Sequence, residues 1–236
     1  MQVKTIVLTL PLIVGLGLVP LSAEGPEASP FPSGEVLRYD VMWPSGLRLG
    51  EARFTANSNQ AGWAFSADVT ANLPVLAIED NYQSKADFSL CSASFQKVVS
   101  HGKRKQNEEI TFDQDKNRAL RRNRADGTTQ DLIVPPCARD ALTYLYSLRH
   151  DLAQGRVPPP DDLNFGAQYQ ITISYVETRE IEAGGKTQQA DRLLVDVSGR
   201  ESTVNIELFL AQDAARTPLL IRVPFELGTF SLKLAE

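Results

Sequence analysis

The sequence is poor in the residues that build metal centres and dense disulfide frameworks. Its 236 residues include two cysteines and two histidines. This scarcity excludes a four-cysteine zinc or iron–sulfur site and a small fold held by several disulfides. Positive charge is also in deficit, since 24 Lys and Arg face 29 Asp and Glu, and the net charge of −5 argues against a general nucleic-acid binder. The 42% hydrophobic content is ordinary for a globular protein, so extensive disorder is not expected.

The sequence also lacks the motifs that carry common catalytic chemistries. It contains no GxSxG, GxxxxGK[ST] or HExxH motif and no dinucleotide-binding glycine pattern. The adjacent acids Glu108-Glu109 and Asp161-Asp162 are available for acid–base hydrolysis, but neighbouring strand residues point to opposite faces. His101 and His150 are expected in a loop and on the surface, respectively. We therefore expect no enzyme activity, no cofactor and no metal site.

Residues 1–23 have the layout of a secretory signal peptide. Lys4 precedes an apolar stretch at 6–19, and the segment ends in a small residue, Ala23. The stretch is short and interrupted for a membrane span, although a retained anchor is the alternative. We therefore expect export to a bacterial periplasm, with the exterior of the cell as the alternative. Residues 24–33 hold three prolines and predict a flexible leader.

The expected compartment decides how the two cysteines are interpreted. Cys91 and Cys137 are the only cysteines in the sequence, and an oxidising environment favours one disulfide between them. Two buried thiols are the alternative. A redox-active pair is not favoured, because the two residues lack CxxC spacing.

Most of the remaining chain alternates between polar and apolar residues with a period of two, which indicates half-buried strands. In the first such segment Leu37, Tyr39 and Val41 share one face. Gly50 interrupts the next segment, which predicts a bulge or a close approach of two backbones. Residues 34–236 therefore predict a single, mainly β domain. We expect a curved antiparallel sheet or a partly open barrel with one amphipathic helix packed across it.

Residues 138–154 are the segment that predicts this helix. Leu142, Leu145 and Tyr146 recur at helical spacing, and Asp140 is placed to cap the first turn. Arg149 falls on the same broad face of the helix. Two interpretations of Arg149 stay open: a clamp for an anionic ligand, or a buried cation paired with a carboxylate.

In their order and spacing, several segments resemble the domain-of-unknown-function 3108 family of bacterial exported proteins. The segments are 34–41 (GEVLRYDV), 50–52 (GEA), 140–149 (DALTYLYSLR), 208–220 with Asp213 and Thr217-Pro218-Leu219, and then Gly228. At 209–211 the chain has FLA where a more tryptophan-containing strand is expected. The resemblance implies secretion and a β-rich fold. It brings no established activity, so no catalytic residue is carried over.

Together these features predict a non-enzymatic binding module of the cell envelope for a hydrophobic or amphipathic ligand such as a lipid. The alternative is a structural or protein-interaction module with no small-molecule ligand. The ligand is expected to lie between sheet and helix, against Trp43, Phe54, Trp63, Phe65, Leu145, Tyr146 and Arg149.

A basic run near the middle of the chain is a second candidate site. It comprises Lys103, Arg104 and Lys105, followed by Arg121 and Arg122. If the two segments pair as a hairpin, they form a positive patch for a membrane surface or an acidic envelope protein. The alternative is a solvated edge that discourages strand aggregation.

Overall fold

A computed structural model of the chain describes residues 29–73, 76–200, 203–225 and 228–236. The predicted signal peptide and the first half of the predicted leader lie outside these ranges. Within them the chain forms fifteen strands and one helix. These are β1 (Glu35–Met42), β2 (Arg48–Asn59), β3 (Gly62–Leu73), β4 (Leu76–Ala86), β5 (Ser92–His101), β6 (Arg104–Asp113), β7 (Arg118–Asn123), β8 (Thr129–Ile133), β9 (Arg139–Asp140), α1 (Ala141–Ala153), β10 (Asp161–Asn164), β11 (Gln168–Ala183), β12 (Lys186–Gly199), β13 (Thr203–Ala211), β14 (Pro218–Phe225) and β15 (Gly228–Leu234).

The strands form one large sheet in the order β8-β7-β6-β5-β4-β3-β2-β1-β15-β14-β13-β12-β11-β10-β9. Neighbours are antiparallel except for β9 and β10. The sheet is not closed into a barrel, but the amide of Ser92 at the start of β5 donates to the carbonyl of Ala138 beside β9 (3.0 Å). This hydrogen bond brings the β9 edge against the middle of the sheet. The predicted fold class, mainly β with one helix, is confirmed.

The alternating pattern places one apolar face of β1–β5 on the inner, helix-bearing side of the sheet. Tyr39, Ala52 and Phe65 are each at most 2% exposed on this face. The predicted close approach at Gly50 is present, because a Cβ there would clash with the backbone oxygen of Thr70 on the neighbouring strand. Small residues on this face leave room for the helix to sit against the strands.

Helix α1 lies inside the curved sheet, where eight of its thirteen residues are buried. Asp140 caps it as predicted, since its carboxylate accepts hydrogen bonds from the amides of Leu142 (2.9 Å) and Thr143 (3.1 Å). The other carboxylate oxygen accepts from the hydroxyls of Ser84 (2.5 Å), Ser92 (2.6 Å) and Thr143 (2.9 Å). Complete burial raises the pKa of Asp140, and these hydrogen bonds oppose the increase.

Arg149 anchors the other half of the helix through a buried ion pair. Its guanidinium donates two hydrogen bonds of 2.7 Å to the carboxylate of Glu35 at the start of β1. A third goes to the carbonyl oxygen of Ala215 (3.0 Å). The two side chains are 1% and 8% exposed. Of the two interpretations left open by the sequence, the structure shows the cation paired with a carboxylate.

The structure differs from the expected flexible leader at residues 29–33. Phe31 is 1% exposed and packs edge-on against Trp63 (centroids 5.0 Å apart) and Tyr146 (4.8 Å). The Arg149 guanidinium lies 4.9 Å from the Phe31 ring centroid. Burial of this aromatic ring holds the segment against the core, an effect that a count of prolines does not detect.

A bulge in β11 exchanges the inner and outer faces of this strand for its second half. Before the bulge, Ile173 faces the helix; after the step between Tyr175 and Glu177, odd-numbered residues face the outer side of the sheet. Ile181 accordingly packs in a separate cluster with Phe209. We call residues 177–192, the paired ends of β11 and β12, the arm. Its tip touches β15, where the Gly184 amide donates to the Leu234 carbonyl (2.9 Å).

The predicted disulfide is present. Cys91 and Cys137 are bonded and tie the turn after β4 to the segment that leads into β9 and the helix. In the described ranges, no helix is both long enough and apolar enough to cross a membrane.

Removing one partner of the buried ion pair is expected to destabilise the fold strongly. Glu35→Gln or Arg149→Met leaves the other charge buried without compensation, which costs about 3–5 kcal/mol in the free energy of unfolding. Urea unfolding followed by tryptophan fluorescence measures the change. Arg156→Met is the control, because its ion pair with Asp151 is exposed and is worth about 1 kcal/mol or less. Equal effects of the buried and exposed changes would contradict the anchoring role.

Loss of the disulfide is expected to lower stability by roughly 2–4 kcal/mol, because the bond closes a long loop in the unfolded chain. The sequence separation of the two cysteines is 46 residues. The double variant Cys91→Ser/Cys137→Ser is compared with the oxidised protein by urea unfolding. The reduced wild-type protein serves as the control and should match the variant.

Candidate functional site

The arm and the outer face of β13–β15 enclose an open groove of about 860 Å³. The β1–β2 turn forms one end of it. The groove is lined by Met42, Trp43, Pro44, Gly46, Glu180, Ile181, Glu182, Leu194, Asn205, Glu207, Leu220, Arg222, Pro224, Thr229, Ser231 and Lys233. Because the bulge in β11 places Ile181 on the outer side of the sheet, this residue lines the groove.

The groove combines an apolar floor with charged sides. Leu194, Leu220 and Ile181 supply apolar surface from β12, β14 and the arm. Lys233 and Glu182 stand among the charged lining residues, and neither side chain forms an ion pair or hydrogen bond with any residue in the described ranges. Such a surface suits a ligand with both an apolar and a polar part.

A network of ion pairs fixes the base of the groove. Glu207 contacts Arg192 on β12 and Arg222 on β14 (3.2 Å), and Arg192 also reaches Glu177 on the arm (3.3 Å). Burial raises the pKa of Glu207, but hydrogen bonds and charge from the two arginines outweigh it, so the pKa lies below its ordinary value of 4.5. The ionised form of the Glu207 carboxylate is therefore favoured. Through its two arginine partners it links β12, β13 and β14, and Arg192 extends the network to Glu177 on the arm.

An aromatic cluster lies at the end of the groove. Trp43 packs edge-on against Phe230 (centroids 4.9 Å apart), and Phe230 packs against Phe225 in the same way (5.3 Å). Gly228 permits this approach of the two turns, because it has φ +119° and a Cβ there would crowd Pro44. Phe225 remains 62% exposed.

The structure places the predicted ligand-lining residues in two separate regions. Trp43 lines the groove. Phe65 is stacked between the rings of Trp63 (5.8 Å) and Tyr146 (4.1 Å) in the core, while Phe54 packs against Tyr39. The other two predicted residues, Leu145 and Arg149, belong to helix α1. Leu145 is partly buried against the core, and Arg149 forms its ion pair with Glu35. Six of the seven residues thus lie on the helix side of the sheet, away from the groove.

The predicted basic patch is likewise divided. Lys103 lies in the turn between β5 and β6, Arg104 and Lys105 are the first two residues of β6, and all three are exposed. Arg121 and Arg122 are consecutive residues of β7 and face opposite sides of the sheet. Arg121 points inward and pairs with Glu108 through contacts of 2.5 and 3.3 Å.

A second charged cluster lies on the inner face of β4–β6. The Lys97 ammonium sits 4.6 Å from the ring centroid of Phe165, in the β10–β11 turn. Burial lowers the pKa of Lys97, and the nearby charge of Glu108 opposes the decrease. Beside it, His101 contacts Asp80 at 2.9 Å. The Lys97–Phe165 contact packs the β10–β11 turn against the inner face, and the His101–Asp80 contact joins β5 to β4. Both contacts give the charged cluster a structural role.

No group of three or more His, Cys, Asp or Glu side chains in the described part of the chain is placed to hold a metal ion. His150 lies in the last turn of the helix, partly buried. His101 ends β5 and was expected in a loop.

Sequence reasoning missed the groove itself. The alternation within 168–177 and 188–198 was visible, but the bulge between Tyr175 and Glu177 exchanges the faces of β11. One signal was present: the arm sequence 177–183 (ETREIEA) continues the strand beyond the apolar run with charged residues around a lone Ile181. A charged extension of a strand is typical of an element that leaves the main core.

Comparison with known proteins supports the fold. The profile of the family described as "Protein of unknown function (DUF3108)" matches residues 38–235. Among curated proteins, none matches the sequence.

Two solved structures match this chain. One is a beta-barrel-like protein of the domain of unknown function DUF1849 from Brucella abortus, with a TM-score of 0.63 and 10% identity over 84% of this chain and 94% of that one. The other, described as a candidate lipoprotein from Parabacteroides distasonis, has a TM-score of 0.32 and 7% identity over 86% and 94% of the two chains. The first likeness shows the fold alone, and the second supports no conclusion.

Protonation of Glu207 is expected to weaken the fold in acid. Because the folded-state pKa lies below the unfolded-state value, its contribution to stability is complete above about pH 4.5 and is lost as the pH falls through the folded-state pKa. Glu207→Gln should therefore be less stable than wild type at neutral pH, and the difference should shrink in acid. Urea unfolding at a series of pH values measures it. Glu79→Gln, at an exposed site without an ion pair, is the control. If the difference in unfolding free energy between Glu207→Gln and wild type does not vary with pH, the lowered pKa of Glu207 is contradicted.

Proposed function

Because the chain belongs to the DUF3108 family, whose members have no assigned function, we propose its activity from the site alone. The protein is a non-enzymatic binding module of the cell envelope, and its groove holds an amphipathic ligand such as a lipid. The observation that carries this proposal is the groove of about 860 Å³ between the arm and β13–β15, with its apolar floor and unpaired charges.

The volume of the groove favours a small molecule. Ligand sites in proteins enclose about 300–1,000 Å³ and combine an apolar lining with a few polar groups that orient the ligand. Leu220 and Ile181 offer apolar contacts for an acyl chain. Lys233 and Glu182, whose side chains have no ion-pair or hydrogen-bond partner among the described residues, offer charges for a polar head.

The ligand position differs from the one expected between sheet and helix. There the rings of Trp63, Phe65 and Tyr146 contact one another and Phe31, so their faces are already covered. Trp43 is the member of the expected set that remains available to a ligand in the groove. Periplasmic location stays part of the proposal and rests on the signal-peptide pattern of residues 1–23.

A protein-interaction module without a small-molecule ligand is the second candidate. Strand β8 favours it, because this edge strand pairs only with β7 among the described strands and Ile133 at its end is 78% exposed. An open edge is a template for pairing with a strand of another protein.

Native mass spectrometry of protein exported to a periplasm and purified without detergent tests the groove. We expect a bound lipid or acyl species of defined mass, recovered by organic extraction. A bare protein mass that persists after incubation with a total envelope lipid extract would contradict the proposal and favour the interaction module. The same spectrum reports the disulfide as a loss of about 2 Da, about one hydrogen from each thiol.

A pair of matched variants locates the ligand. Ser231→Trp fills the groove from β15 and should lower ligand occupancy at least tenfold. Ser100→Trp makes the same change on the outer face of β5, outside the groove, and should leave occupancy unchanged. Equal occupancy in both variants would place the ligand elsewhere.

A further inference from the structure

One end of the sheet gathers turns whose apolar and basic side chains remain exposed. Because neighbouring strands are antiparallel, the last described residues of β1, β3, β5 and β14 all lie at this end. The aromatic contact between Trp43 and Phe230 shows that the β1–β2 turn lies beside the start of β15. We call the described residues Trp43, Leu47, Phe225, Phe230, Lys103, Arg104 and Lys105 the rim surface.

Two large apolar side chains of the rim surface remain mostly exposed. Leu47, in the β1–β2 turn, is 64% exposed, and Phe225, at the end of β14, is 62% exposed although one side of its ring packs against Phe230. Trp43 and Phe230 lie behind them, each partly exposed. Clustered exposed apolar side chains mark surfaces that meet another apolar phase, and tryptophan is typical of the boundary between membrane and water.

The basic part lies on the same end of the sheet. Lys103, Arg104 and Lys105 are exposed, and none forms an ion pair with any residue in the described ranges. Strands β3 and β4 lie between them and the apolar side chains, and the amide of Gly102 donates to the carbonyl of Ala77 in β4 (3.2 Å). Four strand spacings give a separation of roughly 20 Å along the sheet.

The positive charges of the rim surface favour an anionic partner. Because the whole protein carries a net charge of −5, its attraction to an anionic surface has to come from a local excess of cations. Three unpaired cations and protruding Leu and Phe side chains at the same end of the sheet match a bilayer that has negative headgroups over an apolar interior. We propose that the rim surface docks the protein on an anionic membrane, with Leu47 and Phe225 inserted and Lys103–Lys105 on the headgroups.

Docking on a membrane does not depend on the proposed ligand, but the two fit together. Trp43 and Pro44 belong to the turn that forms one end of the groove. A protein docked through this end therefore holds that end of the groove close to the lipid surface.

Sedimentation with vesicles tests the inference. The full chain, exported and processed, is mixed with phosphatidylcholine vesicles prepared with and without phosphatidylglycerol. We expect at least tenfold tighter binding to the anionic vesicles and loss of this preference at high salt. Leu47→Ser/Phe225→Ser and Lys103→Glu/Lys105→Glu should each weaken binding at least tenfold.

Matched controls come from the opposite end of the sheet. Phe88→Ser removes an equally accessible apolar side chain, 52% exposed, from the turn after β4, and Arg118→Glu reverses an exposed charge at the start of β7. Both should bind vesicles as wild type does. Equal binding to neutral and anionic vesicles, or equal loss in the rim and control variants, would overturn the inference and point to a protein partner for this surface.

The Ser231→Trp protein separates this inference from the proposed function. Its groove is filled while its rim surface is intact, so it should still bind anionic vesicles. Conversely, the Lys103→Glu/Lys105→Glu protein should retain groove occupancy in native mass spectrometry. Loss of vesicle binding in Ser231→Trp would contradict docking through the rim surface.

Discussion

The structure depends on holding a helix inside a curved sheet at two charged points. Asp140 fixes the start of the helix through five hydrogen bonds, and Arg149 fixes its second half through the carboxylate of Glu35. Buried charges of this kind contribute less to net stability than to specificity, because only one placement of the helix satisfies both. This placement brings the first strand, the helix and the aromatic core together on the inner side of the sheet, while the groove lies on the outer side.

Much of the fold could be predicted from the sequence, because strand alternation and helical spacing are local signals. The helix expected at 138–154 occupies Ala141–Ala153, its cap is Asp140, and the disulfide joins the two cysteines. The partner of Arg149 could not be named, since Glu35 lies 114 residues away and no local pattern connects them. Phe31 was missed for the same reason: its neighbours in sequence indicate a leader, and its neighbours in space are aromatic.

The candidate site was less predictable than the fold. Aromatic content pointed to Trp63, Phe65 and Tyr146, but these rings pack against one another, as aromatic side chains in a core do. The groove depends on a single extra residue in β11, whose effect on the direction of every later side chain appears only when strands are paired. Similarly, consecutive arginines in β7 look like one patch in the sequence, yet the pleat sends Arg121 inward and Arg122 outward.

The bulge between Tyr175 and Glu177 also constrains how this chain tolerates changes of length. Deleting one residue there would restore the original alternation and turn Ile181 and Ala183 away from Phe209, whereas removing a pair of residues from the arm would preserve it. Relatives of this protein should therefore differ in arm length by even numbers of residues. Since each such pair takes one residue from each strand, the reach of the arm, and with it the width of the groove, is free to vary in evolution in steps of about 3.4 Å while the core stays unchanged.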